Sequence, residues 1–311
     1  MYKDTRLGGV EKWYNFPPSD ANMRIPNELL HSVCFLCVKY QEQYQAIGTA
    51  FFVKFSKDEF DFCHLFTAKH IIDEVKKQGY ETLYARLNKY GTGVEYEKLG
   101  DINSWLLTED IEVDIAFLPF LLDQSKFEAK TIPLEMIANE NIMKTRAIGI
   151  GDDLFSIGLF TQRKGNKRNI PIVRTGIISA MPTEPLLSKF GDEIYFYLAE
   201  LRSISGLSGS PVFVYLDKTR IYIPNSPEKN DFEFYLLGVM RGHWDAKNYN
   251  DIEPLGDESK QVIEPLNTGI AMITPASYIL AFLESPQMVE WREKVVANYK
   301  KNETHDNFTE D

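Results

Sequence analysis

The sequence predicts an all-β fold, made of two successive series of short strands and followed by a C-terminal helix. Short apolar, β-prone stretches recur from residue 32 to about residue 118, and a second series runs from about residue 147 to residue 273. A less β-like segment, residues 121–144, separates the two series. With 311 residues, 44% of them hydrophobic, the chain is long enough to bury one sizeable core or two modest ones.

The first series follows a mixed leader, residues 1–29, which we expect to pack outside the main fold or to cap it. Residues 71–78 predict one or two helical turns, and the rest of the series is strand-like. A run of short strands is typical of a closed all-β unit. The predicted strands are residues 33–40, 48–55, 61–66, 81–87, 93–99 and 113–118.

The second series leads into a helix. Residues 277–283 are apolar and compact, Pro286 interrupts the pattern, and Trp291 is placed to hold a second helical piece against the fold. Residues 300–311 are polar and charged, and we expect them to fray. The predicted strands are residues 151–158, 175–179, 193–198, 212–215, 232–240 and 268–273.

Composition argues against several classes of function. The net charge of −11 is unlike that of a general nucleic-acid binder. No apolar run approaches the roughly 18–20 residues of a membrane span, and the N-terminus lacks the apolar stretch of a secretory signal. These observations predict a cytoplasmic protein whose partners include neither nucleic acid nor membrane.

The chain has three cysteines, Cys34, Cys37 and Cys63. A small, odd number of cysteines does not suit a disulfide framework. Cys34 and Cys37 have the spacing of a redox or zinc motif. They lie in a β-prone apolar run, however, and no second ligand pair accompanies them. The pattern favours a buried strand over a metal or redox site, and no cofactor is implied.

Three short segments each supply one member of a His, Asp, Ser set. His70 ends the segment 65–70, Asp114 begins the segment 114–117, and Ser208 lies within 206–212. Such a set can turn a weakly nucleophilic hydroxyl into an acylating group. A structural histidine at a strand end and an ordinary Ser/Gly turn are the alternatives. Asp110 and Glu112 compete with Asp114, but their polar flanks indicate solvated loop charges.

In order and in spacing, 44 and then 94 residues, these segments resemble the chymotrypsin/trypsin-like serine peptidases. Thr67-Ala68-Lys69-His70 is similar to the family's Thr-Ala-x-His, and Asp114-Ile115-Ala116 followed by apolar residues to its Asp motif. Gly206-Leu207-Ser208-Gly209-Ser210-Pro211 is similar to its Gly-x-Ser-Gly-[Gly/Ser]-Pro loop. Among the members of this family, the sequence most resembles the bacterial intracellular, high-temperature-requirement and glutamyl-endopeptidase types.

The resemblance implies two six-stranded antiparallel β-barrels with a C-terminal helix. The first barrel would carry His70 and Asp114, and the second would open with a strand pair in residues 151–158 and carry Ser208. The implied divisions are a leader or cap (1–29), the first barrel (30–120), a linker (121–144), the second barrel (145–275), the helix (276–299) and a flexible tail (300–311).

The resemblance also assigns roles. Ser208 would be the nucleophile, His70 the general base and Asp114 the residue that orients it, while the amides of Gly206 and Ser208 would form an oxyanion hole. In secreted zymogens an Asp precedes the nucleophile and pairs with a freed N-terminal amine. Here that residue is Leu207, so we expect activity to be constitutive or controlled in another way.

The resemblance also implies a specificity pocket. Arg202 would form its floor, and Met240, Arg241 and Gly242 would lie along one wall. Gly269 would lie on the opposite wall. Two arginines beside the pocket suggest an acidic side chain before the scissile bond. The alternative is that both arginines face solvent.

Taken together, the sequence predicts a bacterial serine endopeptidase that cleaves a polypeptide, expected to be a specific protein, through an acyl-enzyme. A regulatory protein partner, and a role as a regulated effector in bacterial stress or defence, are further hypotheses. The rival interpretation is an inert binding or scaffold module on the same fold.

The insertion 217–231 is expected to be an exposed loop near the cleft. A basic stretch is interpreted as a solvated hairpin tip or as a docking site, and comprises Arg163, Lys164, Lys167, Arg168 and Arg174.

Overall fold

The computed structural model describes part of the chain, and the descriptions below refer to that part. Most of the leader (residues 1–24), the insertion 217–231 and Arg202 lie outside the described residues, as do Glu112 and Arg163. The described residues are 25–108, 110, 113–160, 164–187, 193–201, 206–216, 234–246 and 266–306.

The first sheet is an open half-barrel with the strand order β5-β4-β1-β2-β3-β7-β6, and β8 pairs in parallel with β2. It differs from the closed six-stranded barrel that the sequence predicted. A 3-10 turn (Ile102–Ser104) follows β5, and the two residues of β6 pair with β7 instead of closing onto β5. The strands are β1 (Val33–Tyr40), β2 (Gln43–Lys57), β3 (Phe60–Thr67), β4 (Thr82–Asn88), β5 (Val94–Asp101), β6 (Leu106–Leu107), β7 (Ala116–Pro119) and β8 (Ile132–Pro133).

The second sheet is a closed six-stranded antiparallel barrel with the order β10-β13-β16-β15-β14-β9, as predicted. A separate two-stranded ribbon pairs β11 (Leu186–Leu187) with β12 (Glu193–Ile194). The predicted all-β architecture is therefore confirmed. The barrel strands are β9 (Asp153–Leu159), β10 (Pro171–Ala180), β13 (Tyr197–Glu200), β14 (Pro211–Tyr215), β15 (Phe234–Ala246) and β16 (Leu266–Pro275).

Three apolar cores account for this arrangement. One fills the half-barrel, one fills the closed barrel, and the third lies between the two sheets and the C-terminal helices. Strand β1 contributes to two of them, since Phe35 and Cys37 face the shared core while Cys34 and Leu36 face the half-barrel interior. Because both faces of β1 are buried from Val33 to Val38, its sequence is continuously apolar over those six residues.

The helices are short except for the last. Helix α2 (Lys69–Lys77) follows β3, and α4 (Ser277–Leu283) and α5 (Pro286–Asp306) follow the closed barrel. Pro286 begins α5, a position where its missing N–H costs nothing. The C-terminal helix is thus two helices, and α5 continues into the segment expected to fray. The remaining helices are α1 (Asn27–Leu30) and α3 (Glu140–Thr145), with a 3-10 turn at Leu134–Met136.

The predicted linker, residues 121–144, joins both units through backbone contacts. Its strand β8 pairs with β2 of the half-barrel. A few residues later, Ile137 forms a parallel bridge with Leu236 of the closed barrel, and the N–H of Ala138 donates to the Leu236 carbonyl at 2.9 Å. The linker is therefore part of the packed structure.

A buried arginine makes a second connection between the units. Arg86 on β4 is 2% exposed, and its guanidinium donates to the carbonyl oxygens of Lys164 (2.8 Å) and Gly165 (2.6 Å) and to Oδ1 of Asn169 (2.5 Å). Arg168 forms an ion pair with Glu128. Lys164 and Arg168 of the basic stretch therefore contact the first unit, which differs from the expected solvated tip, whereas Lys167 is exposed.

Candidate active site

Asp114 holds His70 through both of its carboxylate oxygens. Oδ2 lies 2.8 Å from His70 Nδ1, and Oδ1 accepts the backbone N–H of the same residue at 2.9 Å. Asp114 is 6% exposed, whereas 47% of the His70 side chain is exposed. The carboxylate is thus shielded from water, and the imidazole keeps one side open to a substrate.

The pKa of His70 is raised above its ordinary value of 6.5. Burial alone would lower this pKa, but the hydrogen bond and the negative charge of Asp114 outweigh it. The positive charge of Arg241 opposes the rise. Because Nδ1–H donates to Asp114, the other ring nitrogen, Nε2, is left as the proton acceptor.

The local sequence explains how these two residues meet. His70 lies in the first turn of α2, whose Ile71, Ile72 and Val75 are buried. Asp114 was predicted to lie within a strand, but β7 begins only at Ala116. The pairing of β7 with β3 starts at the Ala116–Thr67 pair, so Asp114 lies two residues before the strand ladder.

The turn before Asp114 uses two residues that the sequence did not single out. The Thr108 hydroxyl lies 2.6 Å from the carbonyl oxygen of Asp110 and 3.1 Å from that of Val113. Lys69 Nζ donates to the Thr108 carbonyl at 3.2 Å. Asp110 itself is exposed, as expected of a solvated loop charge.

The Ser208 loop (residues 206–210) is held by backbone groups. Gly209 N–H donates to the Met240 carbonyl at 2.9 Å, and Met240 N–H donates to the Ser210 carbonyl at 2.8 Å. Gly206 and Gly209 have φ angles of +95° and +81°, in the region that favours glycine. Ser208 is half-buried, and the neighbouring Leu207 is fully buried in the closed-barrel core.

The Ser208 loop lies directly against the segment that leads into His70. A Cβ added at Gly209 would overlap the carbonyl oxygen of Thr49 and Oγ1 of Thr67, and would lie 3.1 Å from the backbone nitrogen of Ala68. The three predicted residues are thus brought to one place where the two units meet. Among the described residues, no hydrogen bond joins Ser208 Oγ to His70.

Solved structures similar to this chain include HtrA- and Deg-type trypsin-like serine proteases. One is Deg5, with a TM-score of 0.46 and 15% identity, covering 82% of this chain and 88% of that one. Another is the inactive mutant form of Rv3671c from M. tuberculosis, with a TM-score of 0.41 and 13% identity, covering 82% and 86%. The HtrA-type protease AlgW with a decapeptide has a TM-score of 0.43 and 16% identity, covering 85% and 66%. No protein-family model matches the chain, and no curated protein is significantly similar to it in sequence.

The described residues of the predicted specificity pocket lie on β15 and β16. Met240 is fully buried in the closed-barrel core, whereas Arg241 is half-buried. Gly242 and Gly269 have open space beside them, since a Cβ at either position would meet no atom within 4 Å. Arg202 lies outside the described residues, so the pocket stays a prediction.

The Cys34–Cys37 motif is part of strand β1, as the sequence favoured. The two thiols lie in different cores, and burial raises the pKa of Cys37 to about 12. Within the described ranges, no cluster of three or more His, Cys, Asp or Glu side chains could hold a metal ion. None of the described helices is both long and apolar enough to cross a membrane.

Proposed function

We propose that this chain is a serine endopeptidase in which Ser208 is the nucleophile, His70 the general base and Asp114 the residue that orients it. The observation that carries the proposal is the pair of hydrogen bonds that buried Asp114 accepts from His70, beside the loop that presents Ser208. The raised pKa of His70 favours proton uptake at its free nitrogen.

In the proposed reaction, Ser208 Oγ attacks the scissile carbonyl carbon while its proton passes to His70 Nε2. Negative charge then develops on the carbonyl oxygen, where the amides of Gly206 and Ser208 would donate hydrogen bonds. The imidazolium returns the proton to the leaving amine as the C–N bond breaks, which leaves an acyl-enzyme. Water, deprotonated by His70, then releases the acid and restores the serine.

Labelling by a fluorophosphonate probe tests the assignment of the nucleophile. We expect the wild-type protein to be labelled and Ser208→Ala to be unlabelled. Ser210→Ala is a matched control, since Ser210 lies two residues away with a buried hydroxyl that has no hydrogen-bond partner. A folded wild-type protein that resists the probe, alone and in cell extract, would instead be the inert binding module. Labelling only in extract would indicate a regulatory partner.

The same proposal includes activity without processing of the N-terminus. Leu207 precedes the nucleophile, is fully buried in an apolar core and offers no carboxylate to a new amine. Mass spectrometry of active protein should therefore find residues 1–10 still attached. Activity that appears only after cleavage within the leader would contradict this mode of control.

An acidic side chain before the scissile bond is the proposed preference. Arg241 carries a charge close enough to lower the pKa of His70, and Gly242 and Gly269 leave room beside it. Removing an arginine that pairs with a desolvated carboxylate costs about 2–4 kcal/mol. Arg241→Ala should therefore lower kcat/KM for acidic peptides and leave apolar peptides nearly unchanged. A peptide-library profile enriched in Lys, Arg, Leu or Phe would rule this preference out.

A further inference from the structure

Thr49 on strand β2 connects the two halves of the candidate active site. It is fully buried, and every polar group that it carries is engaged. Its N–H donates to the Ser208 carbonyl at 3.1 Å, and its carbonyl accepts the Thr67 hydroxyl at 2.8 Å. Its own hydroxyl lies 2.9 Å from the Gly206 carbonyl oxygen and 3.1 Å from the Leu159 nitrogen.

The direction of the hydroxyl's two hydrogen bonds follows from its partners. The Leu159 N–H can only donate, so the hydroxyl oxygen accepts there. The Gly206 carbonyl can only accept, so the Thr49 hydroxyl proton points at it. The β9 strand end that contains Leu159 thus sets the hydroxyl as a donor toward the Ser208 loop.

These bonds act on the two residues whose amides would face the oxyanion. Thr49 holds the carbonyl of Gly206 with its hydroxyl and the carbonyl of Ser208 with its N–H. Because the peptide group is planar, fixing the carbonyl of a residue also fixes the whole peptide plane between it and the next residue. Rotation about the Cα–C bond (ψ) of the first residue is thereby limited. Gly206, at φ +95°, has no Cβ to restrict its backbone angles, so its conformation depends more than that of other residues on such a contact.

We propose that Thr49 is a positioning residue for hydrolysis, whose hydroxyl keeps Gly206 set for the oxyanion before substrate arrives. This inference rests on the proposed function. Thr49 touches neither substrate nor reacting atoms in this role. It acts through the backbone of a loop that belongs to the other unit, 157 residues along the chain.

The decisive comparison is Thr49→Val with Thr49→Ser. Valine has the same shape without the hydroxyl, so kcat should fall about 10–100-fold while KM changes less than about threefold, somewhat less than the loss of an oxyanion donor itself. Serine restores the hydroxyl and should recover kcat to within about threefold of wild type. The acid limb of the pH profile should not move, since Asp114 sets the pKa of His70. If Thr49→Val does not fold, Thr49→Ala and Thr49→Ser provide the same comparison.

Thr274→Val is the matched control, because Thr274 is 1% exposed and its hydroxyl has no hydrogen-bond partner. It should keep wild-type kcat. Equal kcat in the wild type and Thr49→Val would overturn the inference while leaving the proposed function intact. A wild type that neither cleaves peptides nor reacts with the fluorophosphonate would instead overturn the proposed function. Amide hydrogen exchange at Leu207 and Gly209, whose N–H groups belong to the two peptides that Thr49 holds, would then decide the positioning role, which requires faster exchange in Thr49→Val than in the wild type.

Discussion

In the half-barrel the candidate reactive residue is held by bonds to a carboxylate side chain, whereas in the closed barrel the loop with the candidate nucleophile is held through bonds to its own backbone atoms. His70 depends on the carboxylate of Asp114, which reaches it from outside the strand ladder. Ser208 lies in a loop fixed by backbone hydrogen bonds to Met240 and shaped by Gly209. In the half-barrel, a substitution of Asp114 removes the contact that holds His70. In the closed barrel, a Cβ added at Gly209 would be enough to displace the Ser208 loop.

The difference follows from the two sheets. The closed barrel pairs each of its six strands on both sides, so its loops begin and end at fixed places. The half-barrel ends at β5 and β6, and the segment that leads to β7 is free to leave the ladder. Such a segment can present the carboxylate of Asp114 to His70. Substitutions at Asp114 and at Gly209 therefore distinguish a residue held by a side chain from a loop held through its backbone.

Asp114→Asn should have the largest effect, because it removes the charge that holds His70. By analogy with the same change in a serine protease triad, kcat/KM should fall by about 10⁴-fold. The pKa of His70 should also drop, since burial, which lowers it, would no longer be outweighed. An NMR titration of the imidazole, assigned with His70→Gln, measures this shift. An unchanged pKa would show that Asp114 does not govern His70.

Gly209→Ala tests the backbone-built half of the comparison. The added methyl group would overlap the carbonyl oxygen of Thr49 at a backbone φ of +81°, which should cost about 3 kcal/mol of stability. Urea unfolding measures the loss. Gly149→Ala is the control, since a Cβ there meets nothing within 4 Å and should change the free energy of unfolding by less than about 0.5 kcal/mol. Equal effects would remove the steric argument.

The half-barrel also contains a histidine whose pKa is shifted in the opposite direction. Burial, aided by the charge of Arg292, lowers the pKa of His64 from 6.5 to about 4. Below pH 6.5 the unfolded chain therefore binds a proton that the folded chain does not, and stability falls as the pH drops toward 4. Between pH 6.5 and pH 5 the loss should be about 2 kcal/mol.

His70 contributes with the opposite sign, because its raised pKa adds stability below pH 6.5 that is lost as the pH rises through its folded value. His64→Phe isolates the His64 contribution. The difference in unfolding free energy between this variant and the wild type, measured in urea at pH 7.5 and at pH 5, should grow toward acid. A difference that is constant with pH would contradict the buried neutral imidazole.

The smallest effect is expected from Thr274→Val in the closed barrel. Replacing a buried hydroxyl that lacks a partner by a methyl group should raise stability by about 1 kcal/mol. The same substitution at Thr49 should lower stability, because it leaves the Gly206 carbonyl and the Leu159 N–H without a partner. Thermal unfolding of the two variants compares them directly, and a loss of stability in Thr274→Val would contradict this expectation.

The sequence predicted the elements whose signals are local. Strand β1 was expected at residues 33–40, and the structure has it at Val33–Tyr40. Its first six residues, Val33 to Val38, are buried on both faces and are therefore continuously apolar. Strand β2 begins earlier than expected, at Gln43. Its hairpin turn uses Gln41 and Glu42 at φ 45° and 62°, where Asn-Gly would have been the usual signal.

Other expectations failed where contacts between distant residues decide the structure. Residues 193–198 were expected to form one strand, but β12 pairs only with β11 while β13 joins the closed barrel. Nothing local to Thr49 or Arg86 indicates their partners, which lie 157 and about 80 residues away along the chain. The motif residues were recognisable because their neighbours have strict backbone requirements, as at Gly209.

Arg86 has a consequence for how the molecule unfolds. Its cation is out of water, and both terminal nitrogens of the guanidinium donate to oxygen atoms of the segment that follows β9, in the other unit. Separating the units would leave that charge without partners and would also open the apolar core that they share. The two sheets are therefore expected to melt in a single calorimetric transition, and neither should persist as an independently folded fragment.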